Sequence, residues 1–182
     1  PTGKVPCLVD GDKVVWDSLA IAEYVAEQHP GAWPADPAAR AWARSASAEM
    51  HSGFTALRNE CSMSVGVRIR LHAQSEALRR ELARIDELWS EGLARFGGPF
   101  LAGASFTVVD AFFVPVAFRI RTYGLALGAP AAAYAQRLLA LQEQIGARRN
   151  EAMVGRTFEV LVDGASRLSA MTLQVRTSMR SR

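Results

Sequence analysis

The chain has 182 residues, of which 49% are hydrophobic and 21% charged, with a formal net charge of +3. That length is enough for a sizeable core in one large domain or two small ones, and the composition excludes wholesale disorder. No apolar run reaches the roughly 18 residues needed to cross a bilayer, and the opening Pro1-Thr2-Gly3-Lys4 has no signal-peptide pattern, so the expectation is a cytoplasmic protein with no membrane partner.

The chain starts as a hairpin. Val5, Cys7 and Val9 alternate with Pro6 and Leu8, Asp10-Gly11-Asp12 supplies turn chemistry, and Val14-Val15-Trp16 forms a second β-rich run. Pro6 sits near the start of the first strand, where a missing N–H is tolerable and a cis bond can tighten the backbone. Asp17 and Ser18 then offer N-cap oxygens to a helix carrying Ala20, Ile21, Tyr24 and Val25, which His29-Pro30-Gly31 stops. Trp33 to Pro37 reads as a short linker, and beyond it the periodicity is purely helical. Trp42, Ala46, Met50, Phe54 and Leu57 form one stripe; Leu78, Leu82, Ile85, Trp89 and Phe96 form another after a break near Ser62 to Gly66. Gly97-Gly98-Pro99 ends that helix. Thr107-Val108-Val109-Asp110 is a capping box for the next, which carries Phe112, Phe113, Val116 and Ile120. A further helix begins near Pro130 with Leu138, Leu141 and Ile145, and Phe158 to Val162 alternates as a strand entering a turn at Asp163-Gly164.

Charge is distributed unevenly along this order. Residues 1–142 hold fourteen Lys and Arg against fourteen Asp and Glu, whereas residues 143–182 hold seven Arg against four acids. A basic tail is a possible electrostatic footprint for nucleic acid, although solvated arginines are the commoner meaning.

Several chemistries lack their signatures. His29, His51 and His72 are far apart and belong to no HExxH or Cys/His cluster, so no metal site is expected and the histidines read as surface or helix-end residues. There is no GxSxG elbow, GxGxxG loop or Walker A loop. The two cysteines lack CxxC spacing, which fits a reducing compartment, and Cys7, following Pro6 in a strand, reads as a buried structural thiol. Met50 and Phe54 lie on an apolar stripe that reads as core or as the wall of a ligand groove.

The order that remains, Lys4-Val5-Pro6-Cys7-Leu8, a hairpin, Asp17-Ser18, Ile21-Ala22-Glu23-Tyr24 and later Thr107-x-x-Asp110, resembles the glutathione S-transferases over roughly residues 2–140. The resemblance implies an α+β, mostly α fold: a partial thioredoxin-like half domain, hairpin plus helix, at residues 1–32, and an all-helical domain at 38–142, followed by a short β-containing tail at 143–182. It implies glutathione as substrate, with Lys4, Val5, Pro6, Asp17 and Ser18 holding it. Pro6 would be a cis-proline, the Val5 backbone would pair with the cysteinyl unit, Ser18 would take the γ-glutamyl carboxylate and Asp17 the ammonium, with help from a partner subunit of a homodimer. The anion assignment also stands physically, since a helix start favours negative charge. The helical domain would supply the groove for a small electrophilic substrate, with Met50 and Phe54 as its lining.

Two features depart from the family pattern. Its members activate the glutathione thiol with a Ser, Tyr or Cys in a leading βαβ unit of about 30 or more residues, and only three residues precede Lys4. No residue is therefore assigned as catalytic. The thiol is expected to keep a pKa of about 8.5 to 9, so conjugation by this chain is expected to be slow, and a non-catalytic glutathione-binding or interaction module is the alternative. At the other end, the stretch from Asn150 to Gly164, within about residues 138–170, resembles the start of the TRAM region of the radical-SAM tRNA methylthiotransferases, with a junction expected near Leu138 to Gln142. Nucleic acid contact is expected only weakly, through this tail.

Overall fold

The Asp-Gly turn closes a hairpin of β1 (Cys7–Asp10) and β2 (Lys13–Trp16), paired antiparallel with Leu8 opposite Val15 and Asp10 opposite Lys13. Its two-residue loop needs a left-handed first position, and Gly11 supplies it at φ 60. The computed structural model describes residues 3, 5–157, 160–165 and 173–177, divided into two compact units, residues 1–142 and 143–182. Lys4 lies outside the described residues, as do Phe158 and Glu159 of the expected tail strand.

After the hairpin come α1 (Ser18–Gln28), a 3₁₀ turn at Pro30–Ala32, α2 (Pro37–Ser52), α3 (Thr55–Glu60), α4 (Glu76–Phe96), α5 (Val108–Tyr123) and α6 (Ala129–Glu151). The fold is thus a thioredoxin-like N-terminal half, hairpin plus helix, followed by a helical domain. The expected linker is anchored: Trp33 is buried at 3% exposure, and Arg40 Nη1 donates to the carbonyls of Pro34 and Ala35 at 3.0 and 2.9 Å. Asp36 caps α2 through Ala39 N at 2.7 Å, with Pro37 preset for the first turn.

The stripe from Trp42 to Leu57 is not one helix. It breaks at Gly53, and Phe54 takes a left-handed backbone (φ 56) before α3 begins. Phe54 and Leu57 still reach the core because the Glu81 carboxylate on α4 caps α3, accepting from Ala56 N at 3.0 Å and Leu57 N at 2.8 Å. Ser75 caps α4 through Leu78 N at 3.0 Å, and Gly97 in the left-handed region ends it. Inside α4, Gly92 is a point of close approach: a Cβ there would stand 2.5 Å from the Trp42 ring and 2.7 Å from the Leu101 carbonyl.

The core of this unit centres on Trp89, which meets Phe113 of α5 at 5.6 Å and Tyr134 of α6 at 4.9 Å, both edge to face. Beside it lies the fully buried Asp110. Its carboxylate accepts from Leu101 N at 3.0 Å, Thr107 N at 2.9 Å and Tyr134 Oη at 2.8 Å. Burial pushes the Asp110 carboxyl above its ordinary range, against the pull of these bonds. The folded state therefore holds a proton there more tightly than the unfolded chain, so this group favours the fold as pH falls towards its raised value. Burial likewise holds the Tyr134 phenol well above its usual range, keeping it a donor.

In the second unit, β3 (Val160–Ala165) pairs antiparallel with β4 (Leu173–Thr177), Val160 opposite Thr177 and Ala165 opposite Leu173. The turn expected at Asp163-Gly164 is instead part of β3. A register shift between Val162 and Gly164 accommodates Asp163 as a bulge, so the strand bends without ending.

Replacing Asp110 by Ala leaves two buried amides and the Tyr134 hydroxyl without an acceptor, and at about 1 to 3 kcal/mol for each unsatisfied group urea unfolding is expected to record a loss of at least about 3 kcal/mol. Tyr134→Phe, which removes one of the four bonds to this carboxylate, is expected to cost about 1 kcal/mol in the same measurement.

Candidate functional site

At the start of α1 the sequence offers two oxygens, and the structure separates their work. Asp17, not Ser18, is the N-cap: its Oδ1 accepts from Leu19 N at 2.9 Å and Ala20 N at 3.4 Å, and its carbonyl accepts from Ile21 N at 2.9 Å. To do this Asp17 holds φ 76, a conformation that side-chain-bearing residues rarely adopt and that costs on the order of 1 kcal/mol or more. Ser18 is the first helical residue. Since Asp17 takes the amides of Leu19 and Ala20, the donors that an anion would meet in the first turn are the amide and hydroxyl of Ser18.

The site extends to the far end of α2. His51, in the last turn of that helix, places Nε2 3.0 Å from Asp17 Oδ2 and Nδ1 3.4 Å from Ser18 Oγ. The edge of its ring faces Phe112 of α5, with centroids 6.3 Å apart. Further polar contacts fix α1 in place. Arg44 of α2 grips Glu23 through Nε at 3.1 Å and Nη2 at 3.0 Å, and Tyr24 Oη donates to Asp10 Oδ2 at 2.7 Å, tying the helix to the hairpin turn. Sequence reading took His51 for a helix-end histidine. It is one, but the 33 residues between it and Ser18 leave no local signal of their meeting.

The Val5-Pro6 peptide bond is cis, and Val5 is 93% exposed. Among the described residues, β1 pairs with β2 alone. Cys7 corrects an expectation, for it is exposed rather than buried. Only one face of the hairpin is covered: Leu8 and Val15 are half-buried, whereas Cys7, Val9, Val14 and Trp16 stand exposed on the other. Cys61 is the buried thiol, and burial raises its pKa.

Met50 and Phe54 are both buried, at 3% and 6% exposure. Phe54 borders an open cleft of about 280 Å³ walled by Glu49, Gly53, Arg80 and the Arg84–Glu49 pair, and Met50 is not among its lining residues. His29 caps the C-terminus of α1, apart from His51. Among the described residues no three His, Cys, Asp or Glu side chains gather as a metal-binding set, and no helix is long and apolar enough to cross a membrane.

A thioredoxin-like half carrying a cis-proline hairpin and an Asp-Ser helix start, followed by a helical domain, is the architecture of a glutathione transferase. The family model of the glutathione S-transferase N-terminal domain matches residues 1–28, and that of the C-terminal domain matches residues 71–142. The chain belongs to the glutathione S-transferase family. It is 62% identical over 32 residues to the dichloromethane dehalogenase of Methylorubrum extorquens, covering 18% of this chain and 11% of that protein. It is 44% identical over 61 residues to a probable maleylacetoacetate isomerase of Caenorhabditis elegans, covering 32% of this chain and 28% of that one. The matches thus span less than a third of either relative's length. Among solved structures, the theta class glutathione S-transferase of Xanthomonas axonopodis pv. citri, with glutathione bound, aligns at TM-score 0.55 and 25% identity over 86% of this chain and 76% of that one. A glutathione transferase homologue from Burkholderia, also with bound glutathione, aligns at TM-score 0.55 and 24% identity over 81% and 74% of the two chains, a likeness of fold.

Asp17→Ala and Asp17→Gly separate the cap from the backbone strain. Both lose the side-chain bonds to Leu19 and Ala20, at about 1 kcal/mol, but glycine adopts φ 76 freely and alanine does not. In urea unfolding Asp17→Ala is expected to be the less stable of the two, by about 1 kcal/mol.

Proposed function

We propose that this chain binds glutathione through the start of α1 and acts as a glutathione S-transferase-like protein. In the family's reaction the glutathione thiolate attacks an electrophilic small molecule. The observation that carries the reading is the pairing, at one helix start, of the Asp17 carboxylate with the amide and hydroxyl of Ser18, beside a cis Val5-Pro6 bond. Asp17 matches the γ-glutamyl ammonium in charge, Ser18 and the positive end of α1 match its carboxylate, and the exposed backbone of Val5, just before β1, suits the cysteinyl unit. Glutathione bound to the Xanthomonas and Burkholderia relatives supports this choice of ligand. The dehalogenase and isomerase among the curated relatives favour a small electrophile as second substrate.

No described residue is assigned to thiol activation, so the chain is expected to bind the tripeptide and to conjugate it slowly. A thiol of pKa about 8.5 ionises only to a few per cent at neutral pH. The second reading, a glutathione-binding module without turnover, is separated from the first by a conjugation assay with a generic electrophilic aromatic substrate. We take the protein to be a cytoplasmic homodimer, which sedimentation of the purified chain would check. The family resemblance further proposes Lys4 for glutathione and Met50 and Phe54 for the second substrate.

Calorimetry with reduced glutathione tests the central claim. Binding is expected for the parent chain, and Ser18→Ala is expected to weaken it about tenfold at pH 5.5, the scale of one hydrogen bond to a charged group. Heat no different from buffer dilution for the parent chain would overturn the reading. For the tail, the seven arginines of residues 143–182 are proposed to give tRNA attraction that is weak and disappears between about 50 and 200 mM salt. Tight, salt-resistant binding that vanishes in a chain ending at Gln142 would instead assign an RNA-binding role to that segment.

A further inference from the structure

We infer that His51 is a positioning residue of this site, whose protonation frees the Ser18 hydroxyl to donate to a ligand carboxylate; the inference rests on the glutathione reading above. His51 contacts both members of the Asp-Ser pair at once, Asp17 Oδ2 at 3.0 Å from Nε2 and Ser18 Oγ at 3.4 Å from Nδ1. An ionised carboxylate only accepts hydrogen bonds, so Asp17 fixes a proton on Nε2. In the neutral ring Nδ1 is then a bare acceptor. The Ser18 hydroxyl, which has a single hydrogen, donates it to Nδ1 and turns oxygen lone pairs towards the ligand position. A carboxylate arriving there meets repulsion where it needs a donor.

Protonation of Nδ1 reverses this bond. The ring now donates to Ser18 Oγ, the Ser18 hydrogen is released to the carboxylate, and the imidazolium adds an attractive charge. Asp17 keeps capacity for the γ-glutamyl ammonium, because a carboxylate has about four lone-pair sites and Leu19 N, Ala20 N and His51 Nε2 occupy three of them. The charged groups around the ring are few. Asp17 faces it from the α1 side, Arg58 of α3 approaches its backbone carbonyl at 3.5 Å, and α5 contributes the uncharged Phe112 ring. Both side chains of the His51–Asp17 pair are about two-fifths exposed, so a ligand and protons reach them from solvent.

The test is calorimetry of the full chain with S-methylglutathione from pH 5.5 to 7. Its carboxylates stay ionised and its ammonium protonated across that interval, and the blocked thiol does not titrate. Affinity is expected to rise about tenfold towards pH 5.5 in the parent chain, the scale of one charge-assisted hydrogen bond. It is expected to be independent of pH in His51→Gln and for the parent chain with an analogue lacking the γ-glutamyl carboxylate, and to rise less in Ser18→Ala than in the parent, because only the attraction of the imidazolium charge remains there. ¹⁵N shifts of the His51 ring provide a second measurement and are expected to report the Nε2–H tautomer at high pH. Parent-chain binding that is flat or tightens as pH rises, a slope that survives in His51→Gln, or an Nδ1–H tautomer would each overturn this inference and leave the glutathione reading standing. Absence of binding by the parent chain at every pH would overturn both.

Discussion

A carboxylate removed from water must find donors, and Asp110 finds them on three separate pieces of chain. The Leu101 amide lies in the loop after α4, the Thr107 amide at the entry to α5, and the Tyr134 hydroxyl on α6. Each bond alone is modest. Together they fix the positions of those segments around Trp89, because a shift of any one would strand a buried polar group. This constraint places α5, and α5 places much else. Arg119, Thr122 and Tyr123 on it hold the irregular segment after α3 through the carbonyls of Cys61, Ser64 and Ser62. Phe112 on it meets the His51 ring at the end of α2.

From His51 the constraint passes to the start of α1. No residue of α1 is fully buried; Ala26 packs against the core, and polar pairs attach the helix as well, His51 to Asp17 and Ser18, and Arg44 to Glu23. Such pairs are individually weak in water. They are well suited to a ligand site, where donors and acceptors must stay accessible and be able to exchange partners. Asp17 illustrates the demand, combining a strained backbone, two cap bonds and a contact with His51 Nε2 in one residue.

Helix ends were legible from short-range chemistry. Gly97 stands where the Gly97-Gly98-Pro99 run puts a stop, and the capping box at Thr107 and Asp110 is plain in four consecutive residues. The misreadings share a cause, which is that periodicity records polarity and not its neighbours. The stripe through Met50, Phe54 and Leu57 keeps helical spacing across a break at Gly53 because α3 returns the same apolar face to the same core. Cys7 alternates as a strand residue should, but alternation does not say which face of a hairpin is covered.

The sequence by itself determined the hairpin, the order of helices, the Asp17-Ser18 helix start and the family to which these belong, because each depends on residues within a few positions of one another. Only the tertiary structure decided that Asp17 rather than Ser18 is the cap, that Asp110 joins three segments, and that His51 completes the site at α1. The first turns on the backbone conformation that Asp17 adopts in the fold, and the other two depend on hydrogen bonds between side chains far apart in sequence, 33 residues from Ser18 to His51 and 24 from Asp110 to Tyr134. Such bonds exist only after packing has brought the helices together, and a linear pattern carries no record of them.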